Sequence, residues 1–141
     1  MNAILSIKPQ YVKEIVAGRK RYEYRKSVFK QKVGKVYIYA SAPVSKIVGE
    51  FEPVDVVSGE PAEVWKKTKE WSGITKRFFD EYYKGRGTAF AIEIKNLRIY
   101  DEPKALPKGI LAPQSYRYVD FWDIIWKSDF IFVILPRKIF L

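Results

Sequence analysis

The sequence contains neither cysteine nor histidine. Without cysteine there are no disulfides, no thiolate metal centres and no cysteine nucleophile. Without histidine, the commonest catalytic base and transition-metal ligand is missing too, which excludes metal-hydrolase and zinc-deaminase chemistry. No metal and no cofactor is expected, and any acid–base chemistry must run on Lys, Asp, Glu or Tyr. Long apolar runs are also lacking, since none approaches the ~20 residues that cross a bilayer. The N-terminus carries no basic segment followed by an apolar one, so it does not read as a signal peptide. The expectation is a cytoplasmic chain with no membrane partner.

What the sequence has is positive charge. The 141 residues carry a formal net charge of +10, from 26 Lys and Arg against 16 Asp and Glu. Residues 1–35 hold ten of the basic residues and only two acids, Glu14 and Glu23, a local balance of +8. The rest of the chain is close to neutral. Concentration of charge in a quarter of the chain points to a polyanion-binding face. A uniformly Lys- and Arg-rich surface of the thermophile kind is the alternative. The length fits one domain over residues 1–141 with a single core.

Ala3–Lys8 alternates apolar and polar residues and predicts a strand. Pro9 suits the first helical turn, Tyr11, Val12, Ile15 and Val16 follow at helical spacing, and Gly18 is the expected stop. Period two returns at 21–25 and again at 35–40. Residues 47–57 read as extended, with a bend or bulge at Pro53. Glu60-Pro61 opens a helix reaching about Thr68, and Thr75 caps another that ends by Gly85. Residues 88–98 predict one strand, and residues 101–115, with Pro103, Pro107, Pro113 and Gly109, a long loop. Phe121–Lys127 reads as a short helix, and Phe130–Leu135 as a buried strand or helix. The sum is an α+β fold of five or six short strands in a bent sheet or small barrel, with a helix after the first strand and two inserted helices.

Gly18 allows a left-handed turn that sets Lys20 at its mouth. Glu23 and Arg25, two apart on a strand, point the same way. A lysine, a carboxylate and a guanidinium therefore converge, either as a site or as an ordinary surface ion pair. Arg21 adds a further cation, and Lys8 at the end of the first strand another, unless it is merely a solvated strand end. After the long loop, Ser115, Tyr116, Arg117 and Tyr118 offer planes on which single-stranded bases stack, or aromatics that close over the core. Trp65, Trp71, Phe78, Phe79, Tyr82 and Tyr83 sit at helical spacing and read as core, as do Trp122 and Trp126.

The run Ile4-Leu5-Ser6-Ile7-Lys8-Pro9, followed by Tyr11, Ile15 and Gly18-Arg19-Lys20-Arg21-Tyr22-Glu23-Tyr24-Arg25, resembles the ASCH family, whose signature is G-x-K-x-x-E-x-R. Pro113-Gln114-Ser115-Tyr116 is similar to its late Pro-x-Ser-aromatic element. The resemblance implies a PUA-like β-barrel and a cleft for RNA or a nucleotide. It also brings hydrolases into view, one branch acting on N4-acetylcytidine and another on RNA. The N4-acetylcytidine branch resembles this chain at Gly18, Lys20 and Arg25 but carries a threonine nucleophile where Glu23 stands. Its further glutamate would correspond to Glu63 or Glu70.

Three readings follow. The first is an RNA-, nucleotide- or nucleoside-binding module using Lys8, Lys20, Arg21, Glu23, Arg25, Ser115, Tyr116 and Arg117. The second is a small hydrolase of a modified nucleoside or of RNA, with Lys20 and Glu23 catalytic. The third is a protein-interaction or transcription-regulatory domain. In the first, Lys20 and Arg25 meet phosphate or base carbonyls. Glu23 either accepts from an amine or N–H of a base or holds Arg25 in place.

Overall fold

The computed structural model describes residues 1–120. The short helix read at Phe121–Lys127, the buried strand or helix read at Phe130–Leu135, and the packing of Trp122 and Trp126 lie outside the described residues.

β1 (Asn2–Ile7) is largely buried and is followed at once by α1 (Pro9–Val16). Pro9 opens α1, where its missing N–H breaks no helical bond. β2 (Tyr22–Arg25), β3 (Val36–Ala40) and β4 (Lys46–Glu52) come next, and Pro53 then separates β4 from β5 (Val56–Gly59). α2 (Pro61–Thr68) and α3 (Lys76–Tyr82) form the insertion, with the Thr75 hydroxyl accepting from the Phe78 amide as the expected cap. β6 (Ala89–Glu93), β7 (Lys95–Lys104) and β8 (Tyr116–Val119) complete the described chain.

The strands pair as two sheets, β7-β4-β3-β1-β8 and β2-β6-β5. The fold is α+β as expected, but with eight strands among the described residues where periodicity marks five or six. Residues 88–98 do not make one strand. At Ile94 the chain leaves the small sheet for the large one, where β7 pairs with β4. Asn96, with φ 51°, takes up the turn. β7 then continues to Lys104, through Pro103, because it is an edge strand and Pro103 need donate no ladder bond there. The loop starts correspondingly later. β8 was hidden in sequence as a bare aromatic–basic alternation, and its partner is β1, more than a hundred residues earlier.

Among the described residues three apolar clusters fill the interior. Leu5, Ile7, Ile15, Ile38, Phe51 and Ile92 join α1 to both sheets. Ile4, Tyr37, Tyr39, Ile47 and Val119 lie on the opposite face of the large sheet. Tyr24, Val64, Phe79, Tyr83, Ala89 and Ala91 hold the insertion helices against the small sheet. Each fully buried Leu, Ile or Phe contributes roughly 1.5–3 kcal/mol. The first cluster packs across the seam between the sheets, where β1 and β2 approach each other.

Candidate functional site

α1 ends in a hydrogen-bonded C-cap. Gly18 adopts φ 79°, its amide donates to Ile15, and the Arg19 and Lys20 amides both donate to the Glu14 carbonyl. This left-handed termination reverses the chain and delivers Lys20 to the start of β2. The segment 71–73 lies across Lys20. The Lys20 ammonium donates to the Ser72 carbonyl at 3.1 Å, the Arg21 amide donates to the Trp71 carbonyl, and Gly73 packs against the Lys20 stem so closely that a Cβ there would overlap it. Lys20 is only 3% exposed. The expectation of a lysine at the open mouth of a turn is thus corrected, because the insertion between β5 and β6 roofs it over.

Lys20, Glu23 and Arg25 do converge, as the spacing requires. The Lys20 Nζ is 3.6 Å from Glu23 Oε1, and Arg25 Nη2 is 2.7 Å from Glu23 Oε2. Arg25 also donates from Nε to Oε2, from Nη2 to the Ser6 carbonyl at 2.6 Å and from Nη1 to the Ser115 hydroxyl at 3.3 Å. One guanidinium thereby ties β2 to β1 and to the loop before β8. The Ser6 hydroxyl reinforces that tie by donating to the Pro113 carbonyl at 2.6 Å. This triad is not the ordinary solvated surface pair, since all three side chains are largely removed from water.

The triad lines one wall of a cavity of about 560 Å³. Lys8, Ser6, Ser41 and Ser45 add polar groups, and residues 112–114 form a rim. The remaining wall is aromatic, made by Tyr11, Tyr24, Phe78 and Tyr82. The Lys20 Nζ lies 4.8 Å from the Tyr24 ring centre and 5.8 Å from that of Tyr11, so two π faces flank the cation. Burial pulls the Lys20 ammonium below the ordinary lysine range, while Glu23 opposes the shift. Burial also raises the Tyr24 hydroxyl to about 12 and pushes Tyr82 in the same direction.

Several expected residues lie elsewhere. The Arg21 guanidinium stacks on the Trp71 ring at 3.8 Å, outside the cavity wall. Tyr116 packs edge-on against Phe29 at 5.0 Å, and the Tyr118 hydroxyl accepts from the Lys30 and Gln31 amides. Both tyrosines thus anchor the 28–31 segment rather than face the cavity. Arg117 is exposed and reaches the Leu111 carbonyl. Ser115 enters only through its bond to Arg25. Glu63 and Glu70 are exposed and contribute nothing to the cavity wall. Conversely, Tyr11, Tyr24, Phe78 and Tyr82 were legible only as apolar positions on their elements. Their spacing marks a buried face and does not say that the face borders a cavity. Among the described residues no three acidic side chains gather as a metal site, and no helix is long and apolar enough to span a membrane.

Two sheets with a helix between their first strands, and a charged, aromatic-walled cavity at the seam, define a PUA-like domain. The chain belongs to the ASCH domain family, whose model matches residues 5–98. It is similar to an ASCH domain-containing ribonuclease of Zymomonas mobilis, with 24% identity over 124 residues and 83% of each chain covered. It is also similar to the large ribosomal subunit protein uL22 of Ureaplasma parvum, with 33% identity over 90 residues, covering 62% of this chain and 29% of that protein. The chain thus spans under a third of the ribosomal protein's length. A crystal structure of ASCH from Zymomonas mobilis has the same fold, with a TM-score of 0.77 at 20% identity over 95% of this chain and 94% of that one.

Proposed function

We infer that the domain binds RNA by holding a nucleotide in the cavity at the sheet seam. The observation that carries this reading is the pairing of an aromatic wall with the Lys20–Glu23–Arg25 wall around about 560 Å³. Sites for small planar ligands have this size, with apolar faces for stacking and a few fixed polar groups for orientation. The +8 balance of residues 1–35 supports a polyanion partner. So do the relatives, one named as a ribonuclease and one as a ribosomal protein.

A second reading, RNA hydrolysis, is favoured by one feature, the buried Lys20. Burial eases loss of its proton, so Lys20 is the group that would act as base. Glu23 does not suit that role, because both of its oxygens face cations. A nucleoside amidohydrolase is disfavoured by the same lock on Glu23, at the position where that branch carries its nucleophile. Titration of the chain with end-labelled single-stranded RNA, followed by electrophoresis of the same mixture, tests both readings. Binding with intact RNA is expected. Cleavage that Lys20→Met abolishes in folded protein would replace binding by hydrolysis, and no binding at low salt would overturn both.

A further inference from the structure

We propose that the cavity selects a uracil-type ring by its imide edge, the sequence C=O, N–H, C=O, read by Lys20, Glu23 and Arg25 in that order. The proposal rests on the nucleotide reading above and names the base.

Glu23 stands between the two cations, with Oε1 toward Lys20 at 3.6 Å and Oε2 toward Arg25 at 2.7 Å. The row therefore offers donor, acceptor, donor along a wall of the cavity. Each member keeps capacity for a ligand. An ammonium has three donors, of which Lys20 gives one to the Ser72 carbonyl while pairing with Glu23 at 3.6 Å, leaving at least one. A guanidinium has five N–H groups, and the bonds of Arg25 among the described residues engage four. Both arginine bonds to Glu23 fall on Oε2, so Oε1 retains lone pairs for an incoming N–H.

An imide presents acceptor, donor, acceptor and matches the row at all three places. Cytosine presents acceptor, acceptor, donor. It would set a ring-nitrogen lone pair against the Glu23 carboxylate and its amine against a cation. Adenine carries an amine and no carbonyl, and guanine places an amine at one end. The mismatch is costly here because the surroundings are apolar rings and the row is shielded from water. Tyr11 and Tyr24 beside Lys20 limit its freedom to turn toward a different pattern.

The test is calorimetric titration of the full chain with uridine 5′-monophosphate, cytidine 5′-monophosphate and 3-methyluridine 5′-monophosphate. The three share charge, sugar and a stacking face, and the last differs from the first in carrying a methyl group in place of the central N–H hydrogen. Uridine monophosphate is expected to bind roughly ten- to a hundredfold more tightly than either of the others. Equal binding of the cytidine compound would overturn the imide reading while leaving nucleotide binding intact. Equal binding of the 3-methyl compound would remove Glu23 as reader with the same consequence. If none of the three binds, the imide reading is overturned, and RNA binding that persists would then belong to another surface.

Discussion

The Lys20 ammonium donates to the carbonyl oxygen of Ser72 at 3.1 Å, across 52 residues of sequence. This bond closes the insertion over the start of β2 and makes Lys20 an interior cation. Its carboxylate partner, Glu23, is shared with Arg25, so two cations depend on one anion.

Glu23→Gln is expected to lower stability by about 3 kcal/mol, the magnitude typical of removing one partner from a buried ion pair. Lys20→Met should cost less, because Glu23 keeps Arg25. The double substitution should cost less than the sum of the two, since the glutamine then no longer faces an unpaired lysine. Urea unfolding of the four proteins measures all three statements. Effects within half a kcal/mol would make the triad an ordinary surface cluster.

Two glycines separate backbone strain from displacement of the site. Gly18 has φ 79° with open space where a Cβ would point, so Gly18→Ala should cost about 1–2 kcal/mol and leave nucleotide affinity unchanged. Gly73 has φ 66° and lies against the Lys20 stem, so Gly73→Ala must also push Lys20 aside. A larger loss of stability and a weakened affinity are expected for Gly73→Ala. Equal affinities in the two variants would mean that Lys20 does not contact the ligand.

Alkaline pH should expose the buried tyrosines. Tyr24 is raised from 10.0 to about 12, and burial raises Tyr83 and Tyr100 as well. In that window the unfolded chain releases protons that the folded one retains, so stability is complete below about pH 10 and is lost as pH rises to about 12. Lys20 has the opposite sign. Its lowered value means that stability rises with pH until 10.5, where the unfolded lysine also loses its proton. Denaturation midpoints from about pH 8 to about pH 12 should therefore fall most steeply above 10.5, and Tyr24→Phe should flatten that fall. A wild-type midpoint that does not fall would contradict the burial of these hydroxyls.

Affinity for single-stranded RNA should depend strongly on salt, because the basic excess is concentrated in residues 1–35. On a log–log plot the slope should be about −0.7 for each phosphate neutralised. Charge reversal of exposed Lys30 and Lys32 should reduce that slope while leaving the preference among mononucleotides unchanged. A flat salt profile would remove the polyanion face.

Much of the local structure was written in short-range chemistry. Pro9 and Gly18 bracket α1, Thr75 starts α3, and alternation marks β1 to β3, because caps, turns and periodicity act within a few residues. The same locality puts Glu23 beside Arg25, and both near Lys20. Tertiary structure decided the rest. Residues 88–98 split into β6 and β7 because two sheets compete for one extended segment, and nothing in its alternation records which partner each half will find. Lys20 became buried because residues 71–73 fold back over it, and Tyr116 became an anchor because β8 pairs with β1 and carries its ring to Phe29. A charged motif is legible from its own spacing. Its exposure, and the half of the aromatic wall made by Phe78 and Tyr82, depend on segments fifty or more residues away, and only packing brings those together.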